Sequence, residues 1–212
     1  MSRIKRLILI LFVSMGLSSC VLLEQMVQMS NFANCDFKFN SVSDVQMLGI
    51  QLRQGMSRDD LNIGQALLLT KALLNKSLPV SFNVNLDVTN PNSSPASMIK
   101  MDYIVSLNDK QVINTTMNNG INVPANGTDV ISIPITTDLF QLFSGESTEA
   151  VASLAFKLAG ASSDPVNVGI KLKPYINIGG QQLAYPDYIT LNKVYVYIVI
   201  FSILFSNIKS RP

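Results

Sequence analysis

At 212 residues the chain can hold one large domain or two small ones, with a core of ordinary size. It carries no histidine, which excludes Ser-His-Asp and Cys-His catalysis and removes the commonest ligand of zinc and iron sites. Charged residues are only 14% and the net charge is +2, so no strong basic field marks nucleic acid as a partner, and solubility rests on Asn, Ser and Thr.

Met1 to Cys20 reads as a targeting segment. Arg3, Lys5 and Arg6 form a positive start, and Leu7 to Val13 is an unbroken apolar run, too short for a bilayer span of about 20 residues. Removing that start leaves 13 basic against 14 acidic residues, a balance of −1. The run ends in Leu17-Ser18-Ser19-Cys20, which resembles the lipobox of bacterial lipoproteins. The resemblance implies a signal peptide over 1–19 and acylation of the Cys20 thiol, because a thiolate can take the diacylglyceryl group. Two or three acyl chains then anchor a protein firmly, where one does so marginally. A secretory signal that merely contains a cysteine, or a short membrane anchor, are the alternatives. Val21 stands where an Asp retains lipoproteins of enteric-type bacteria in the inner membrane. By the same resemblance, the expected location is the outer membrane, facing the periplasm of the cell envelope.

Residues 20–34 read as a tether, and Cys35 as a small buried hydrophobe at the start of the first strand. Phe37, Phe39, Val45, Met47, Ile50 and Leu52 suggest two short strands, or a strand and a turn. Ser57-Arg58-Asp59-Asp60 reads as a helix start, with a capping serine and acids in the first turn. Leu61, Ala66 to Leu69 and Ala72 to Leu74 then make an apolar surface broader than one stripe, expected to pack over one end or face of a sheet. Leu78-Pro79 ends it.

From Val80 to Val88 apolar residues fall on every second position, alternating with Ser81, Asn83, Asn85, Asp87 and Thr89. That is a strand with one oily and one wet face. Asn90-Pro91-Asn92 closes it. Met101, Tyr103, Val105 and Leu107 alternate again, turn at Asn108-Asp109-Lys110 and return through Gln111 to Asn114. Ile121 and Val123 lead to a tight turn at Asn126-Gly127, and Val130 to Thr136 alternates with Pro134 suggesting an edge or a bulge. Asp138 to Phe143 reads as a helical turn, Glu146 to Leu158 as a short helix or irregular strand, and Val166 to Leu172 as another clean strand. Gly179-Gly180 turns between Tyr175-Ile176 and Gln182-Leu183. Many short strands with regular turns point to a mainly β fold, an antiparallel β-sandwich with one or two accessory helices. Val194 to Phe205 is a nearly unbroken apolar run, left open between a buried last strand, a second membrane contact and an extension without a role.

Asn90-Pro91-Asn92, Tyr103 with Leu107-Asn108, Pro124-Ala125-Asn126-Gly127 and Ile133-Pro134-Ile135 together resemble the late-embryogenesis-abundant type 2 family, the water-stress and hypersensitive-response (WHy) domain. The hairpin has Asn108-Asp109 where that family often has Asn-Gly. The resemblance implies an immunoglobulin-like or fibronectin-III-like sandwich over 35–193, preceded by signal peptide and tether and followed by the tail 194–212. It implies little about chemistry.

Asp59-Asp60 serves a helix dipole better than catalysis, the remaining aspartates lack the spacing of a calcium loop, and Gly179-Gly180 lacks the helix of a phosphate cradle. No catalytic residue, metal ligand or cofactor is therefore expected. The expected partners are membrane lipid through acylated Cys20 and an envelope protein held by strand edges or the 61–74 helix. A hydrolase using carboxylates alone would need two acids in one pocket.

Overall fold

A computed structural model describes residues 23–24, 26–161, 166–178 and 180–196. The central strand of the first sheet is the alternating segment singled out above. Strand β3 (Pro79–Thr89) buries Val80, Phe82, Val84, Leu86 and Val88 and turns its polar residues outward. It lies between β1 (Asp36–Met47) and β8 (Thr128–Asp138), and β2 (Ile50–Gln51) extends β1, giving a four-stranded antiparallel sheet. β1 is one twelve-residue strand followed by a turn at Leu48-Gly49, the second of the two arrangements the sequence allows. Two register shifts bend it, after Phe39 and after Ser43, with Asp44 at φ 54°. Such bulges let a long strand follow a twisted partner.

The second sheet pairs β5 (Lys100–Leu107) with β6 (Lys110–Met117) and with β9 (Val166–Ile178), which carries β10 (Gln181–Ala184) and β11 (Ile189–Val196). A short β4 (Ala96–Met98) and β7 (Ile121–Val123) pair with each other beside it. Val45, Met47, Ile131, Ile133 and Ile135 of the first sheet meet Met101, Val105, Leu107, Val168, Ile170 and Leu172 of the second in one core. Each large side chain so buried contributes about 1.5–3 kcal/mol. Pro134 lies on β8, the edge of its sheet, where a missing N–H costs least.

The sandwich has two unlike ends. At one, β3 begins, β8 and β5 finish and β9 starts, and three helices cap it: α2 (Ile63–Leu74), α3 (Leu139–Leu142) and α4 (Thr148–Leu158). The segment expected as a short helix or irregular strand is thus the helix α4, whose Ser147 hydroxyl accepts from Ala150 N–H and whose Val151, Leu154, Ala155 and Leu158 enter the core. The helix start expected at Ser57 is corrected. Ser57 caps only a 3-10 turn over Arg58–Asp60, the chain breaks at Leu61, and Asn62 caps α2 by accepting from Gln65 N–H.

At the opposite end, helical residues 26–33 form α1. Phe32 is fully buried and meets Phe37 edge to face, Met29 and Asn31 are buried, and the Asn31 amide donates to Ser94 Oγ and to Pro95 O. The stretch expected as a tether therefore ends in a helix that belongs to the packed body, because its Met29 and Phe32 find apolar cover. Cys35 is buried as expected, its thiol donating to Asn31 O at 3.3 Å. Cys20 and the apolar run after Val196 lie outside the described residues. Among those described, no helix is long and apolar enough to cross a membrane.

Candidate functional surfaces

Asn90 is the polar centre of the α1 end. It follows the last residue of β3 on the inward side of the alternation, and it is fully buried although its side chain is polar. Its side-chain amide donates to Ser94 O, Val123 O and Pro124 O, while its Oδ1 accepts from the Asn92 backbone N–H and side-chain amide. One residue thereby satisfies backbone groups of two loops and joins them to the strand end. Pro91 ends the ladder, and Asn126 at φ 52° makes the turn that brings Pro124 in. Proline and αL-tolerant Asn serve those two positions for steric reasons. The Asn-Pro-Asn signal was read only as a strand terminus; its role as a buried plug depends on a loop more than thirty residues away.

The outer face of the first sheet is a hydrogen-bonded polar lattice. The Asn85 amide donates to Ser41 Oγ and Ser43 Oγ, both at 3.0 Å, and its Oδ1 accepts from Ser132 Oγ at 2.7 Å. Asn83 donates to Asp44 Oδ2 at 3.0 Å, Asn40 to Asp87 Oδ1 at 2.8 Å, and the Thr89 and Thr128 hydroxyls share a bond at 2.9 Å. The wet residues of β3 thus bond across to both neighbouring strands.

On the outer face of the second sheet, Asp102 is clasped from both sides. Thr116 Oγ1 donates to Oδ1 and Tyr175 Oη to Oδ2, each at 2.5 Å, and the Lys100 ammonium lies 4.3 Å from the Tyr175 ring centre. Burial works to raise the Asp102 pKa, but those two bonds and the positive charges of Lys100 and Lys173 hold it below the usual carboxylate range. Tyr175 is pushed up to about 12, chiefly by its bond to Asp102. A carboxylate kept ionised with both oxygens occupied, beside a phenol kept neutral, is a cross-strand clasp and not an acid–base pair.

The acids considered in the sequence are placed the same way. Asp60 Oδ2 accepts from the Ser57 N–H and hydroxyl, a capping arrangement. Asp59 is exposed beside it. Among the described residues, no group of three or more Cys, Asp or Glu side chains is close enough to hold a metal ion. Tyr188 is partly exposed, with the Lys173 ammonium 5.4 Å from its ring centre.

Helix α2 departs most from expectation. Only Leu69 and Ala72 of its residues are buried, whereas Ile63, Leu67, Leu68 and Leu74 are 91, 69, 51 and 80% exposed. At 100° per residue Ile63, Leu67 and Leu74 fall on one stripe, opposite the buried one. Breadth of the apolar surface was legible in the sequence, but not that most of it faces solvent.

Fold and surfaces together define an antiparallel β-sandwich that presents hydrogen-bonded faces, strand edges and, in α2, a largely bare helix. A family model for late embryogenesis abundant protein matches residues 85–183, from the middle of β3 through β10, which bears out the resemblance read from the Asn-Pro-Asn, hairpin and turn motifs. Similar solved structures include a protein from Archaeoglobus fulgidus (11% identity, 77% of this chain and 99% of that one, TM-score 0.33). Others are a protein from Arabidopsis thaliana (13%, 77% and 83%, TM-score 0.37) and one described as a late embryogenesis abundant (LEA) protein (14%, 87% and 89%, TM-score 0.33). A comparison with curated proteins gives no match.

Proposed function

We propose that the chain is a non-enzymatic, stress-protective lipoprotein of the bacterial cell envelope, anchored through acylated Cys20 and carrying its sandwich into the periplasm, with the outer membrane as its site. The late-embryogenesis-abundant match supports a stress-related, non-enzymatic role. The observation that carries the protective reading is the polar lattice centred on Asn85. Its side chains already bond one another, so withdrawal of water orphans few of them, and the fold keeps a hydrogen-bonding surface when dry. Drying the protein with a dehydration-sensitive enzyme tests this: recovered activity should exceed that with an equal mass of an unrelated globular protein, and equal recovery ends the protective reading. Metabolic labelling with an alkyne fatty acid tests the anchor. Label lost on Cys20→Ser supports it, and an unlabelled chain, or label that survives the substitution, removes it.

A second reading has the domain holding an envelope partner by strand addition. β6 favours it, because it is the edge of the second sheet with Asn114, Thr115 and Thr116 exposed. A photo-crosslinker at Thr115 in intact cells should then yield one stoichiometric adduct. A protectant yields none.

A further inference from the structure

The bare face of α2 is convex, aliphatic and free of acids. From Leu61 to Ser77 the only charged residues are Lys71 and Lys76. Adding Arg53, Arg58, Asp59 and Asp60 keeps residues 53–77 at +2, while the chain without its first six residues totals −1. Arg58 is paired with Glu149 at 3.2 Å, so the cations that the helix segment itself brings are Lys71 and Lys76. The one hydroxyl on that stripe, Thr70, donates to Ala66 O at 2.9 Å and so asks nothing of water. Lys71 lies between Leu67 and Leu68 around the helix and lines a shallow groove with Leu48, Leu68, Ala72 and Pro79. Its long stem can follow the apolar surface while the ammonium reaches outward. Asn62 caps the start, and Leu69 and Ala72 attach the opposite side to the core, so the stripe is presented outward.

The geometry points to α2 as a second, peripheral lipid-contact element, whose Ile63, Leu67 and Leu74 enter the interfacial region of an anionic bilayer while Lys71 and Lys76 meet its phosphates. None of Ile63, Leu67 and Leu74 lines the shallow groove beside the helix, so their stripe, about 18 Å long, offers a peptide a face and not a cleft. Its few side chains also fall short of the roughly 800 Å² per partner of a stable protein–protein interface. A bilayer needs neither a complementary shape nor that area. The helix lies outside the span matched by the family model, and the inference does not rest on acylation of Cys20.

The test uses the full chain with Cys20→Ser and Leu67→Cys, labelled with an environment-sensitive fluorophore; Cys35 is buried and stays unlabelled in the folded protein. A second chain carries the label at Leu74→Cys, and a third at Thr115→Cys, an exposed position of the edge strand β6. Vesicles of phosphatidylglycerol should shift the emission of the Leu67 and Leu74 labels to the blue, in proportion to lipid added. Phosphatidylcholine should shift it less, Thr115 should not respond, and Lys71→Glu should weaken the response. Three results overturn the proposal. One is no shift at either helix position. Another is an equal shift at Thr115. The third is emission already blue-shifted before lipid is added, which means that the face is covered by residues 197–205 if dilution leaves it unchanged, or by a second copy if dilution reverses it.

Discussion

At the scale of single residues, the buried Asn90 amide is where chemistry is least negotiable. Asn90→Asp keeps the shape but turns a charged oxygen toward the carbonyls of Ser94, Val123 and Pro124. Loss of two donors with carbonyls left unsatisfied costs about 1–3 kcal/mol per orphaned group. Urea denaturation at pH 7 should therefore place Asn90→Asp below Asn90→Ala in stability, and acid should narrow the gap as the carboxyl protonates. Asp138 gives a second residue-scale test. Burial pushes its pKa up, but the Ser77 hydroxyl and the Leu78, Phe140 and Gln141 backbone N–H groups outweigh that and hold it below the usual range. A folded value below the unfolded one adds stability above the ordinary carboxylate range and loses it as pH falls through the folded value. Asp138→Asn should flatten the acid limb of a stability–pH curve; an unchanged limb would show that these bonds do not favour the ionised form. Cys35 runs the other way: burial, and secondarily the charge of Asp36, push its thiol up to about 11. Ionisation opposes folding there, so stability from this group falls as pH rises from 9 toward 11, and thiol reagents should modify Cys35 only after denaturation.

At the scale of elements, α2 separates seating from exposure. Leu69 is 1% exposed and is its one large buried side chain, so Leu69→Ala should cost about 2–5 kcal/mol. Leu67→Ser on the opposite face should stay within about 0.5 kcal/mol in thermal melts without lipid. Asn62→Ala removes the acceptor for Gln65 N–H and should cost about 1 kcal/mol. If Leu67→Ser proves as damaging as Leu69→Ala, the helix is packed on both sides and its outward stripe is not bare.

At the scale of the whole molecule, the body begins before Cys35. Phe32 is fully buried and is held by Asn31 to the 90–95 loop, so Phe32→Ala should cost about 3–5 kcal/mol in urea melts. A neutral substitution would restore the tether reading. The segment before Cys35 therefore enters the sandwich at the Asn90 end, whereas α2 sits at the other. β3, eleven residues long, separates the two ends by roughly 35 Å. β11 runs back to the α2 end, since Val196 pairs with Val166.

Period-two alternation in Val80–Val88, Met101–Leu107 and Val166–Leu172 was enough to name the strands, their inward faces and the sandwich, because each side chain's fate there follows from the pleat alone. Turn chemistry did the same for the Asn108-Asp109 hairpin, whose φ values of 48° and 65° suit an Asn-Asp pair. Three matters were decided only by tertiary structure. Asn90 is a plug because Val123 and Pro124 arrive from a distant loop, α1 is body because an apolar recess receives Phe32, and α2 is bare because the sheets leave cover for one of its two apolar sides. In each case the partner lies far along the chain, and local patterning can state that a residue is oily or polar but not what will come to meet it.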